Sequence, residues 1–264
     1  MTTVQDILQF IQTLAPHYMK MDWDNVGLLC GNGKSTVKKI LVAIDPFESV
    51  CQEAVDMGAD LIITHHPLIF TPITGINEDT SVGRRILMLC NHGISAINAH
   101  TNLDCAPGGV NDVLAQKLGL ENIEVIDPVG TDEQGRPYGL LRKGTVFTQN
   151  LDTFLRTVKN ALGNDALRYV DGGRPVSKVA VGGGSCGGEM EKAIAAGCDT
   201  FVTADIKYNT FRNAEEAGLN MIDAGHFHTE TPACLVLAEK IAAAFPEITV
   251  KISETHEDCM KFFQ

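Results

Sequence analysis

Four short apolar runs in this chain each end on residues that can bind metal or move protons. Leu61–Thr64 leads into His65 and His66, and Ile94–Asn98 leads into His100 and Asp104. Phe201–Ala204 leads into Asp205, and Asn220–Ala224 into His226, His228 and Glu230. Any one of these clusters alone reads as a capping or surface group, but their recurrence at strand ends points to one site. Mixed imidazole and carboxylate donors suit Zn, Fe, Mn or Ni, which the sequence does not distinguish. Pro67 stops the run that holds His65 and His66, so the two imidazoles need not alternate faces as in a regular strand. Each can then reach a different ion, with Asp104 completing one and His226 the other. Glu230 stands four residues after His226 and shares its side once a helical turn has begun. A carboxylate there can bridge ions about 3.5–4 Å apart, the spacing of two-metal hydrolytic sites.

His100 is a ligand, an orienting partner for Asp104, or an acid–base group. His228 is a second candidate catalytic residue. Its other reading places it just before a helix cap at Thr229 or Thr231, with Pro232 at the first helical position. His17, His92 and His256 lack such context and read as surface residues.

The segment Val181–Glu189 satisfies G-x-G-x-x-G through Gly182, Gly184 and Gly187. A dinucleotide site is one reading, an anion pocket formed by Gly183, Gly184 and Asp205 a second, and a tight packing turn a third. The anion pocket is the expectation carried forward, with the loop as a wall of the metal cleft. Cys186 reads as a small space-filling residue. Gly31–Thr36 resembles the end of a P-loop but has Leu28 where the first glycine belongs, and a strand follows where a helix is needed.

Strands and helices alternate around these positions, which predicts an α/β fold. Strands are expected near 39–44, 60–64, 94–98, 178–182, 200–203, 220–223 and 248–252, and helices near 3–14, 48–57, 81–91, 110–118, 150–162, 188–196, 209–217 and 232–244. Residues 54–66 align without gaps on 193–205, pairing Ala54 with Ala193, Gly58 with Gly197, Asp60 with Asp199 and Thr64 with Thr203. Downstream, His100-x-x-x-Asp104 matches His226-x-x-x-Glu230. An internal duplication follows, with halves 1–126 and 127–264. The turn-rich stretch 127–146 is the expected junction.

A net charge of −12 argues against a nucleic-acid partner, which needs a basic face. It leaves room for an anionic small molecule, because bound cations reverse the local field. No apolar run is long enough for a membrane span, and the N-terminus lacks a signal-peptide pattern, so the expected location is cytoplasmic. The eight cysteines are scattered without a C-x-x-C pair and read as reduced thiols.

The stretches WDNVGLLCG (23–31), ITHHPLIF (63–70), AHTNLD (99–104), GGVND (108–112), VAVGGGSCGG (179–188), VTADIKYN (202–209) and DAGHFHTE (223–230) resemble the YbgI-like dinuclear metal-binding family. Its members carry the name GTP cyclohydrolase I type 2 homologues. The resemblance implies that His65, His66, Asp104, His226 and Glu230 are the ligands of two metal ions. It also implies two related, partly intertwined α/β domains and a toroidal homohexamer. Hydrolytic opening of the guanine imidazole ring is the implied activity, and a non-catalytic metal-binding or regulatory scaffold is the alternative. Ala204 and Asn209 depart from the family's usual glycine and histidine, and Cys186 replaces a small residue.

Overall fold

A computed structural model describes residues 1–262. The first elements are α1 (Val4–Leu14), β1 (Gly27–Cys30), β2 (Lys39–Ala43), α2 (Glu48–Asp56) and β3 (Leu61–Thr64). They are followed by α3 (Ser81–Asn91), β4 (Ser95–Asn98), α4 (Thr101–Cys105), α5 (Val110–Lys117) and β5 (Glu121–Ile126). A small hairpin, β6 (Gly130–Thr131) and β7 (Pro137–Tyr138), precedes β8 (Leu141–Gln149), α6 (Leu151–Leu162), β9 (Arg168–Val170) and β10 (Val176–Val181). The chain ends through α7 (Met190–Ala195), β11 (Thr200–Thr203), α8 (Tyr208–Ala217), β12 (Asn220–Asp223), α9 (His226–Ala244) and β13 (Thr249–Ile252). None of the described helices is long and apolar enough to cross a membrane.

Two compact units divide the chain. One comprises Met1–Leu103 with Cys234–Glu257, and the other Asp104–Ala233 with the chain from Asp258 on. Each is therefore assembled from two stretches, interleaved along the sequence. The turn-rich region at 127–146 falls inside the second unit, and the crossings at 103/104 and 233/234 lie within helices α4 and α9.

The first unit holds a sheet of order β1-β4-β3-β2-β13, parallel except for the edge strand β1. The second holds β5-β8-β10-β11-β12-β9, in which β10, β11 and β12 are parallel and β9 runs antiparallel to β12. The arrangement β1-β4-β3-β2 thus recurs as β9-β12-β11-β10. Parallel strands of this kind are buried on both faces and read as continuous apolar runs. Leu41, Ile62, Ile63, Val179, Phe201 and Ile222 are all fully or almost fully buried.

The repeated residues do the same work in both units. Asp60 accepts from the amides of Lys38 and Lys39 at 2.7 and 2.9 Å, and Asp199 accepts from those of Ser177 and Lys178 at 3.0 and 2.8 Å. Gly58 and Gly197 take φ of +62° and +74° where the preceding helix turns into the strand, a conformation glycine adopts without steric cost.

Two departures from the sequence expectation have physical causes. Strand β8 lies within the expected junction because Arg142, a charged residue that reads as surface, is only 1% exposed. It donates to Asp112 at 2.6 Å and to the carbonyls of Gly139, Cys105 and Ala106. Helix α9 begins at His226, so Pro232 lies inside it instead of opening it. Proline at that position removes the donor toward the carbonyl of His228, and its ring crowds the same carbonyl.

Candidate metal-binding clusters

In the first unit, β3 ends at Thr64 and the chain leaves the ladder with His65 and His66. Thr64 Oγ1 donates to the His66 carbonyl at 2.6 Å, and the amide of His66 donates to the carbonyl of Ile44 at 2.8 Å. His65, His66 and His100 then converge, with donor nitrogens within 4.8 Å of one another. Ring centroids are 5.1–5.4 Å apart.

The remaining ring nitrogens show how these histidines are held. His65 Nδ1 lies 2.8 Å from the carbonyl of Ala99. A carbonyl only accepts, so Nδ1 carries the proton and Nε2 carries the lone pair. His66 Nδ1 lies 2.7 Å from Asp45 Oδ1, and His100 Nδ1 lies 2.9 Å from Asp24 Oδ1. Burial raises the pKa of Asp24, but hydrogen bonds from His100 and Thr101 outweigh it and hold the carboxyl well below its usual range. Burial likewise raises Asp45, and donation from His256 and His66 more than reverses it. Both carboxylates are therefore ionised acceptors, and both fix an imidazole through Nδ1, so that Nε2 is the ring atom turned toward the cluster. Metal-bound histidines are held in this way.

The second unit repeats the device. His226 Nδ1 lies 2.7 Å from Asp205 Oδ2, and its Nε2 lies 3.1 Å from Glu230 Oε2 one helical turn on. Asp205 is a non-glycine residue at φ +52°, a conformation that aspartate tolerates better than most residues. Glu230 is 4% exposed, a position where a carboxylate needs a cation or hydrogen-bond donors. Gly184, at φ +60°, packs directly on this pair. A Cβ there would lie 2.1 Å from Glu230 Oε1 and 3.0 Å from His226 Nε2. Asp104 is buried in α4 of the same unit, its carbonyl accepting from Asn111 Nδ2 at 3.1 Å.

The glycine loop is bound inward. The amide of Gly182 donates to Val202, that of Gly183 to Asn111 Oδ1 at 2.7 Å, and that of Gly184 to Thr229 Oγ1 at 3.0 Å. Cys186 donates its amide to Thr203 Oγ1, and burial pushes its thiol well above the ordinary range. These donors hold the loop behind Glu230 and are not presented to an anion. His228 turns from the pair toward Asp258 Oδ2 at 3.3 Å and the Leu162 carbonyl at 3.2 Å.

Asp45 and His256 carry no motif of their own, and Asp24 falls in the WDNVGLLCG stretch without having been singled out as a site residue. His256, expected on the surface, lies with Nε2 3.1 Å from Asp45 Oδ2. The WDNVGLLCG stretch was the available signal for Asp24. Trp23 and Phe70, at the ends of two stretches quoted above, were given no role there. Their rings lie 5.8 Å apart, each 6.1 Å from that of His100, and they are 63% and 58% exposed.

Parallel-stranded sheets in both units, with histidines fixed through Nδ1 at their strand ends, define an α/β protein whose His and Glu groups could bind a metal. The chain belongs to the DUF34/NIF3 (NGG1p interacting factor 3) family, whose profile matches residues 2–259. It is 36% identical over 242 residues to the GTP cyclohydrolase 1 type 2 homolog of Clostridium perfringens, covering 90% of each chain. A crystal structure of a Bacillus cereus protein related to NIF3 superposes with TM-score 0.92 at 25% identity, over 99% of both chains. The structure of the protein ybgI shares the fold with TM-score 0.82 at 24% identity, over 96% of this chain and 98% of that one.

Proposed function

We propose that this chain is a hydrolase dependent on two divalent metal ions, held by His65, His66, Asp104, His226 and Glu230. The observation that carries the reading is the shared way in which His65, His66 and His226 commit Nδ1 to a carbonyl or carboxylate. His92 and His228 also commit Nδ1 to a carbonyl, so what sets the site apart is this orientation together with the convergence of the His65, His66 and His100 nitrogens within 4.8 Å. Divalent ions on these donors would supply Lewis acidity and a hydrolytic water of lowered pKa. His100 is the proton carrier in this reading: Asp24 keeps its Nδ1 protonated, so Nε2 can accept a proton from water and return it to a leaving nitrogen. His228 positions the first turn of α9 through Asp258.

The substrate proposed is an anionic nucleotide or a cyclic amide. The name carried by the Clostridium perfringens relative supports the nucleotide. The exposed rings of Trp23 and Phe70 beside His100 support a substrate with a flat ring, which such faces stack against. A homohexamer is proposed with it on the family resemblance alone, and light scattering that returned a monomer would remove that part.

Elemental analysis of gently purified protein, beside assays of GTP and cyclic amides with and without added metal, tests the reading. Close to two ions per chain and metal-dependent hydrolysis are expected, both lost in Glu230→Gln. Two ions without hydrolysis of any substrate would leave the metal-binding scaffold in its place. Saturation at one ion, or at none, would end the two-metal reading.

A further inference from the structure

Cys30 closes β1, the edge strand of the first unit's sheet, and Cys90 lies in the last turn of α3. Their sulfurs are 3.4 Å apart. Sixty residues of chain separate them, which is why no local motif marks the pair. Cys30 is buried among Ile86, Leu89, Ile94 and Ala96, whereas Cys90 is exposed. One thiol is thus open to solvent and the other lies directly behind it. A disulfide needs about 2.05 Å between sulfurs, so closing the pair requires a movement of roughly 1.4 Å, within the reach of side-chain rotation.

We propose that Cys30 and Cys90 form a redox-active dithiol that closes to an intrachain disulfide on exchange with a low-molecular-weight disulfide. The exposed Cys90 thiolate attacks one sulfur of the small disulfide, forming a mixed disulfide and releasing the first thiol. Cys30 then gives up its proton and attacks Cys90 Sγ, releasing the second. Two protein thiols are oxidised and one small disulfide is reduced to two thiols, so atoms and electrons balance.

The environment favours a persistent bond over a labile one. Burial, followed by the neighbouring Cys90, pushes the Cys30 thiol up to about 12. Strongly oxidising dithiols owe that property to a stabilised thiolate in the reduced form, and Cys30 has no such stabilisation. The bond would tie the sheet edge to α3. The segment entering that edge strand carries Asp24, which holds His100, and Asn25, whose carbonyl accepts from Asn98 Nδ2 at 3.0 Å.

Purified full-length protein, equilibrated with glutathione disulfide, then acid-quenched, denatured, alkylated and digested, tests this directly. The expected result is loss of both alkylated peptides and appearance of one cross-linked pair joining residues 30 and 90. In Cys30→Ser, Cys90 should instead remain as a mixed disulfide with glutathione. In Cys90→Ser, Cys30 should keep its thiol. Glutathione retained on Cys90 of the unsubstituted protein with Cys30 alkylated, or both thiols surviving, would overturn the proposal. None of these readouts depends on metal content or hydrolysis.

Discussion

His256 Nε2 lies 3.1 Å from Asp45 Oδ2, while the other oxygen of that carboxylate accepts from His66 Nδ1 at 2.7 Å. The amide of Ile44 donates to His256 Nδ1 at 3.3 Å, which makes Nδ1 the acceptor and leaves the ring proton on Nε2 for Asp45. A residue near the end of the chain therefore orients the carboxylate that orients a metal-ligand candidate. His256→Ala should weaken binding of a divalent metal, by less than the about 10–100-fold usual for removing the carboxylate that itself holds the histidine. His256→Gln, which can still donate to Asp45, should recover part of the loss. Chelator competition measures both, and unchanged affinity in the alanine variant would take His256 out of the site.

Gly184 calls for a different comparison. A side chain there would meet Glu230 and His226, and φ of +60° adds a backbone cost for any other residue. Gly184→Val should lower bound metal and melting temperature together, whereas Gly188→Ala, which has open space at the Cβ position, should change neither. Phosphate binding by a well-folded Gly184→Val that had lost its metal would return the loop to the role of an anion wall.

The sequence made the repeated part of this protein legible for a physical reason. A buried parallel strand is a continuous apolar run, and its polar end residue is conspicuous, so 61–64, 200–203 and 220–223 and the residues following them could be read directly. Asp60 and Asp199 were visible as a matched pair, and their common duty to the next strand's amides explains the match. What stayed hidden depended on distant contacts. Asp45 and Asp24 meet their histidines across 21 and 76 residues, and His256 meets Asp45 across 211. Strand β8 was masked by Arg142, whose burial makes sense only beside Asp112. The start of α9 was displaced because a proline reads as an opening residue, and here it is not one.

The Arg142–Asp112 pair should dominate the stability of its sheet. Arg142 is buried with its charge, and the Asp112 side chain is 16% exposed. Removing one member of a buried pair leaves an uncompensated ion, at a cost of about 3–5 kcal/mol. Asp112→Ala should show a loss of that order in urea unfolding. Replacing both residues by apolar ones of similar volume should restore much of it. A loss below about 1 kcal/mol in the single variant would mean that the carbonyls around Arg142 suffice without the carboxylate.

The segment that delivers His256 is tied down by Glu53. Its carboxylate accepts from Ser253 Oγ at 2.5 Å, from the amides of Glu254 and Thr255 at 2.9 and 3.2 Å, and from Thr255 Oγ1 at 2.7 Å. Burial raises the Glu53 pKa, but these donors outweigh it and hold the folded value below the ordinary one. A depressed carboxylate contributes stability that is complete above its unfolded pKa, about 4.3 for glutamate, and is lost as pH falls through the folded value. Melting temperature followed from pH 6 downward should thus drop more steeply below about pH 4.3 in the unsubstituted protein than in Glu53→Gln. Other carboxylates titrate in both proteins, so the difference between the curves isolates Glu53. Metal affinity at pH 6 should also fall in Glu53→Gln, by less than in His256→Ala, because loosening the tether only lowers the occupancy of the His256–Asp45 contact. Parallel melting curves would show that the segment is held by something other than this carboxylate.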